Sequence, residues 1–284
     1  MSARVLLALV CLWLCWGSSF PAMRVVVATL PPLTTSGAVF LTAGLVLSVV
    51  HARDLRRTGP LALRRAALVG GCLLGAQGSA ALAVVHVPAS TAALLAASIP
   101  LWLVVLRALT GDRPSRRELL GLPIGLAGVT VIVLAEAGGP GWTPWALVIV
   151  ASSVLWAAGT LVAARSVVLP ALGAATAVQL VAGGALVLTA GLVLDPATPV
   201  VGNASSWVAV AVLLVVDSLA GFALFTWLLR HASVSLVGTY AYAVPVVAYL
   251  TGVLVLGEEF RPVVLVGAAL VLGAVGCALR ARAS

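Results

Sequence analysis

From Arg4 to its end the chain is a succession of long apolar stretches separated by short connections that carry arginine, glycine and proline. A bilayer-spanning helix needs about 20 predominantly apolar residues. Read with that window, the sequence predicts ten such helices, at about 4–21, 32–50, 66–87, 89–109, 117–135, 145–164, 172–193, 207–229, 234–256 and 262–280. The first begins behind Arg4, as a signal peptide would. Its small residues Gly17 to Ser19 lead into Phe20-Pro21 rather than a clean cleavage point, and further apolar segments follow, so it is taken as a transmembrane helix. The connections are too short to form an extramembrane domain.

The apolar pattern repeats. At a constant offset of 145 residues, His86 answers His231, Ser90 answers Ser235 and Pro100 answers Pro245. With one inserted residue, Gly111-Asp112 answers Gly257-Glu258, and Gly121 then answers Gly267. Trp16 matches Trp156 at a slightly shorter offset. The expectation is two five-helix repeats, 1–138 and 139–284. Five spans are an odd number, so the second repeat would sit upside down relative to the first. Inverted repeats place a substrate site near the midplane, between the halves, and permit alternating access by rocking. The predicted fold class is therefore an all-α polytopic membrane protein of ten transmembrane helices in two inverted repeats.

Composition removes the other classes. Hydrophobic residues make up 62% of the chain and charged residues 8%, with mean hydropathy +1.21. Soluble domains run at roughly 45–50% apolar and about 25% charged. Too little polar material remains to coat a globule in water, which excludes a soluble enzyme, a nucleic-acid-binding protein and a disordered chain. The net charge of +8 comes from sixteen basic residues, every one an arginine, and their placement reads as topology. With the amino terminus in the cytoplasm, fourteen arginines fall inside and only Arg24 and Arg261 outside. Both termini are thus expected to be cytoplasmic, in a multi-pass protein of the plasma or inner membrane.

Chemistry-bearing side chains within the spans are few. Asp217 is the one ionisable group well inside a predicted helix. An aspartate at the bilayer centre costs ~2.5–3.5 kcal/mol on insertion scales and faces a cavity or a partner. It is read as a proton- or cation-coupling carboxylate, with a structural acid bonded to Gln77 as the alternative. Gln77 and Gln179 either bind substrate or lock helices together. Gln77 is the better cavity candidate, whereas Gly183 and Gly184 beside Gln179 point to close packing. Trp16 and Trp156, deeper than interfacial anchors such as Trp142, Trp145 and Trp207, would line the cavity and suit an amphipathic or cationic substrate. Pro100 and Pro245 each withdraw a backbone donor, from Ala96 and Ala241 respectively, and are expected as paired bends beside the substrate path. Tyr240 and Tyr242, two apart on a helix, cannot face the same way, so one lines the cavity and the other packs.

The remaining candidates read as structural. Gly121, Gly125, Gly128, Gly267, Gly273 and Gly276 would bring helices five and ten close, within the fold or across a homodimer. Asp112, Glu258 and Glu259 are expected at helix ends. The four cysteines lie in apolar stretches and imply no disulfide framework. Cys11 and Cys15 share a helix face, but no histidine or carboxylate stands nearby in sequence to complete a metal site. No metal, cofactor or catalytic residue is predicted.

Several of these stretches together resemble the EamA family of the drug/metabolite transporter superfamily. They are Trp16-Gly17-Ser18-Ser19-Phe20, Ala81 to Ala127 with its run Pro88 to Ala93, and Ser218 to Ala274 with Trp227-Leu228-Leu229-Arg230, Gly238 to Tyr242, Pro245 to Ala248 and Gly257-Glu258-Glu259. The resemblance implies a ten-helix inner-membrane exporter of small metabolites, amino acids or drugs that works without ATP. Two positions depart from the family pattern. Val39 precedes Phe40 where an arginine is frequent, and Asp217-Ser218 stands where Gly-Ser is frequent. The first departure argues against a mechanism that needs a buried cation there.

The expected function is a secondary transporter, its partners a small-molecule substrate, the lipid bilayer and candidate coupling protons. No GxxxxGK[ST] motif and no lysine occur, so ATP-driven transport within the chain is excluded. Two alternatives stand beside it. An intramembrane serine hydrolase could use Gly17-Ser18-Ser19, but lacks a second glycine after the serine and a histidine at its depth. A non-transporting sensor or assembly protein would need an extramembrane domain.

Overall fold

Uniformly apolar segments bury their backbone polar groups best as helices, since lipid offers no hydrogen bonds. The computed structural model describes residues 3–112, 116–137, 144–166, 170–195, 202–232 and 240–283, and among them every regular element is helical. The elements are α1 (Ala3–Gly17), α2 (Ser19–Val27), α3 (Pro32–Val50), the short α4 (Ala52–Arg56), α5 (Pro60–Val84), α6 (Ala89–Ala96) and α7 (Ile99–Leu109). Then follow α8 (Arg116–Ala137), α9 (Trp145–Arg165), α10 (Leu172–Leu194), α11 (Ala204–Ala211), a π-helical segment (Val212–Gly221), α12 (Phe222–His231), α13 (Tyr240–Leu256) and α14 (Pro262–Ala283). Among the described residues, seven helical stretches are long and apolar enough to cross a membrane, and Leu120–Ile132, Ala243–Leu256 and Pro262–Ala274 are shorter apolar helices. The chain is an all-helical, multi-pass membrane protein. The expected repeat boundary at 138–139, Trp142 and Ser235 lie outside the described residues.

The expected spans shift where prolines act. Pro21 has no N–H for the Gly17 carbonyl, and the first helix breaks at Ser18 before continuing to Val27, beyond the expected end at residue 21. Pro100 likewise has no N–H for Ala96, and the chain turns at Ala97-Ser98 between α6 and α7. Ser98 stabilises that turn, donating to the Leu95 carbonyl at 2.6 Å and accepting from Trp102 Nε1 at 3.1 Å. Pro245, 145 residues on, sits inside the continuous helix α13. The two prolines therefore do different things locally. Pro60 opens α5 before the expected start at 66, which carries Arg64 and Arg65 onto its first turns.

Close backbone approach holds the bundle. A Cβ on Gly44 would lie 2.6 Å from the Val181 amide nitrogen, and one on Gly184 would lie 2.5 Å from that of Leu41, so α3 and α10 touch through glycine. Gly183 and Gly70 bring α10 against α5, with the Gln179 backbone in the same contact. A Cβ on Gly128 would lie 2.6 Å from the Gly267 carbonyl, and Gly121 faces that of Ala274, so α8 and α14 pair within the chain. Gly273 meets nothing within 4 Å, unlike its expected role, and the side of Gly276 lies outside the described residues.

Carboxylates close helix ends, as expected for Glu258. Its two oxygens accept the backbone N–H groups of Ala89 and Ser90 at the start of α6. Asp195 accepts from Leu33 and Thr34 at the start of α3. Both use the positive end of the helix dipole. At the opposite sign, Arg24 donates to the carbonyls of Val84 and Val85 at the end of α5.

Candidate substrate cavity

In a bundle of apolar helices, a polar side chain is stable only beside a cavity or a partner. The structure has a cavity of about 140 Å3 walled by α1, α2, α5, α6, α7, α9, the π-helical segment, α12 and α13. A cavity needs about 10–15 Å3 to admit one water, so this one has room for a small molecule. Of the residues singled out from the sequence, Trp16, Gln77, Pro100, Trp156, Asp217, Tyr240 and Pro245 border it. The side chain of Tyr242 lies outside the described residues. Gln179 is not on this wall and stays with the α5–α10 contact.

Asp217 is 6% exposed and sits in the π-helical segment Val212–Gly221. A π-helix is wider than an α-helix, and such segments concentrate at functional sites. Among the described residues no side chain hydrogen-bonds its carboxylate. Gln77, the partner considered for a structural acid, shares the cavity without bonding to it. The next residue, Ser218, is also buried, and its hydroxyl has no partner among the described residues. Of this segment's polar side chains, Asp217 meets the cavity and Ser218 is buried behind it.

An aromatic corner forms one wall. The Trp16 indole meets Tyr240 edge-on at 5.0 Å between ring centres, Phe225 at 5.2 Å and Phe222 edge-on at 5.8 Å. Gly221 makes room for it, since a Cβ there would lie 2.6 Å from Trp16 Nε1. The edge-to-face contacts with Tyr240 and Phe222 fix the ring's orientation. Phe20, Phe222 and the small residues Ala93, Ala96 and Ala97 also line the cavity and were not singled out from the sequence. Ser19 lines it too, with its hydroxyl donating to the Trp16 carbonyl at 2.7 Å.

That bond, and the matching one from Ser18 to Cys15, leave neither serine set up as a nucleophile. His86 stacks on Trp145 and His231 on Trp227, and among the described residues no histidine hydrogen-bonds either serine. The serine-hydrolase alternative finds no constellation here.

The family model of EamA-like transporters matches residues 3–134 and 143–280. The chain is 32% identical over 260 residues to the uncharacterized inner membrane transporter YedA of Escherichia coli, covering 90% of this chain and 84% of that protein. It is 30% identical over 285 residues to a probable terminal-alkyne amino-acid exporter of Streptantibioticus cattleyicolor, covering 94% and 91%. It is also 30% identical over 245 residues to the aromatic amino acid exporter YddG of Ancylobacter novellus, covering 82% and 80%. A crystal structure at 25% identity superposes over 98% of both chains with a TM-score of 0.66.

Proposed function

The chain belongs to the EamA-like transporter family, as a membrane transporter and not an enzyme, and from that premise we propose that it exports small amphipathic solutes with a cationic nitrogen, amino acids foremost. The observation that carries this reading is the pairing in one cavity of the buried Asp217 carboxylate with the aromatic faces of Trp16, Trp156 and Tyr240. An ammonium group would be drawn to the carboxylate and to the ring faces, and an apolar body to the same rings. Two relatives bear the names of amino-acid exporters, one of them for aromatic amino acids, which suits a cavity built this way. A relative named as an inner membrane transporter, together with the arginine distribution, supports the inner membrane with both termini cytoplasmic.

The proposed mechanism is alternating access of two inverted five-helix repeats, 1–138 and 139–284. The shorter apolar helices stand where the hydropathy reading has its fifth, ninth and tenth spans, which supports ten. Packing supports the two-fold relation. The second and seventh predicted spans, α3 and α10, pack together, as do the fifth and tenth, α8 and α14. The third span meets the sixth through α5 and α9, and the counterpart pair is also in contact, as α1 against the π-helical segment and α12. Gly111 and Gly257, matched by the repeat, are the two described residues with positive φ, at 97° and 67°. The cavity draws on both repeats, so rocking one against the other would expose it to either side.

Asp217 is proposed as the coupling residue, taking a proton when substrate leaves and releasing it when substrate binds. Trp16, Gln77, Pro100, Trp156, Tyr240, Tyr242 and Pro245 are proposed to line the substrate path. Counterflow of labelled tryptophan and phenylalanine into proteoliposomes tests the transport reading. Uptake that an excess of internal unlabelled amino acid accelerates is expected, and its absence across amino acids and organic cations alike would contradict it.

A further inference from the structure

We infer that Glu258 is a latch that closes the outer end of the central cavity by fastening α13 to α6, and that, on the alternating-access reading from which this follows, it lets go when the cavity opens outward. The two helices belong to opposite halves of the chain, and both border the cavity. α6 does so through Ala93 and Ala96, and α13 through Tyr240, Val244 and Pro245. Beyond the cavity they converge. A Cβ on Gly252 of α13 would lie 3.2 Å from that of Ser90, and the Glu258 carboxylate accepts the N–H groups of Ala89 and Ser90 at 2.6 and 2.9 Å. Between latch and cavity, Ala92 of α6 and Tyr249 of α13 are buried in one apolar cluster. Packed side chains therefore separate the cavity from this end.

Other helix pairs that join the halves are built differently. α3 and α10 touch through Thr34 and Gly191 at one end, Gly44 and Val181 midway, and His51 and Gly173 at the other. α8 and α14 touch at both Gly121 and Gly128. Those pairs run side by side, whereas α6 and α13 meet at one end and part around the cavity. Glu258 is partly exposed, so water can take over the two amides when the ends separate.

The matched turn in the other half supplies the contrast. Gly257 at φ 67° turns the chain so that the Glu258 N–H donates to the Gly252 carbonyl at 3.1 Å, which sets the carboxylate over the start of α6. Gly111 at φ 97° turns the chain likewise, with the Asp112 N–H donating to the Arg107 carbonyl at 3.0 Å. Yet Asp112 holds no helix start among the described residues, and Arg107 and Arg165 take its oxygens instead. The same device thus stands twice in the chain, engaged at Glu258 and not at Asp112. Ala89 and Glu258 lie on the arginine-poor face, which the charge distribution assigns to the outside, so this conformation is the one closed outward.

The test uses Ala96→Cys in a protein whose four cysteines are replaced by serine. A membrane-impermeant maleimide labels it from the outer side in right-side-out vesicles and from the cytoplasmic side in inside-out vesicles. Glu258→Gln is expected to speed outer labelling several-fold and to slow cytoplasmic labelling. Ala89→Pro removes one of the two donors at a helix position that tolerates proline, leaves Glu258 in place, and is expected to act in the same direction. Asp112→Asn is not expected to speed outer labelling. A purely structural loss would speed labelling from both sides alike. That result, unchanged outer labelling in both variants, or a rise from the cytoplasmic side alone would overturn the inference, as would an equal outer rise in Asp112→Asn. Labelling of the protein with Glu258 intact from both sides tests alternating access itself and needs no substrate, so failure of that reading and failure of the latch are told apart.

Discussion

Glu258 reaches from the end of α13 to Ser90 at the start of α6, its Oε2 accepting the Ser90 N–H at 2.9 Å while Oε1 accepts that of Ala89 at 2.6 Å. One carboxylate from the second half of the chain thus satisfies two orphan amides in the first half. Gly252 leaves the space for it, because a Cβ there would lie 2.5 Å from Oε2. Capping of this kind contributes about 0.5–2 kcal/mol. Glu258→Ala is therefore expected to lower thermal stability by that order, and Gly252→Ala to do likewise by displacing the carboxylate. Thermal unfolding in detergent, followed by tryptophan fluorescence, measures both.

Gly221 and Gly273 give opposite outcomes for the same substitution. Gly221→Ala pushes a methyl against Trp16 Nε1 at the cavity wall and is expected to destabilise by about 1–3 kcal/mol and to weaken substrate binding. Gly273→Ala meets open space on α14 and is expected to stabilise by up to about 1 kcal/mol through helix propensity. Equal effects of the two would mean that contact with Trp16 is not what matters at Gly221.

Trp16 and Trp156 are expected to act through their faces. Cation–π contact contributes about 0.5–2 kcal/mol depending on desolvation. Trp16→Ala should lower kcat/KM for aromatic amino acids roughly 2- to 30-fold by that energy. Trp16→Phe should recover most of the loss. Initial rates over a substrate series make the comparison.

Arg107 and Arg165 bracket Asp112, with Arg107 Nε at 2.9 Å and an Arg165 terminal nitrogen at 3.2 Å. The hydrogen bond from Arg107, with the charge of Arg165 behind it, holds the Asp112 carboxyl below its ordinary value. A carboxyl lowered on folding stabilises the folded chain above the ordinary carboxylate range, and that contribution is lost as pH falls through the lowered value. Asp112→Asn is thus expected to reduce thermal stability at pH 7, with the difference from wild type shrinking as acid protonates Asp112. The difference should also shrink at high salt, because the pair is exposed.

What the sequence revealed follows from what lipid does to patterning. In a soluble helix the buried face is apolar and the other polar, but here both faces are apolar and the helices carry little polarity contrast. Only exceptions to apolarity could mark the cavity, and Asp217, Gln77, Trp16, Trp156 and Tyr240 are such exceptions. Phe222 and Phe225 border Trp16 yet look like any other apolar residues of their run. The break at Ser18 had a signal in Pro21, three residues on, whereas the Pro100 break and the unbroken α13 show that one proline pattern serves two local structures. The π-helical turn that carries Asp217 has no mark in composition. Gly273 misled for a related reason, since a glycine spacing permits close approach without saying which glycine has a neighbour.

Asp217 in the aromatic-walled cavity is proposed to couple substrate movement to protons. The direct measurement is proton flux in proteoliposomes loaded with a pH-sensitive dye, on addition of tryptophan, for wild type and for Asp217→Asn protein that remains monodisperse. Substrate-dependent proton movement is expected in the wild type and none in the folded variant. Tryptophan transport without proton movement in the wild type, or equal proton movement in both proteins, would contradict it and leave Asp217 a structural acid in a gradient-driven facilitator.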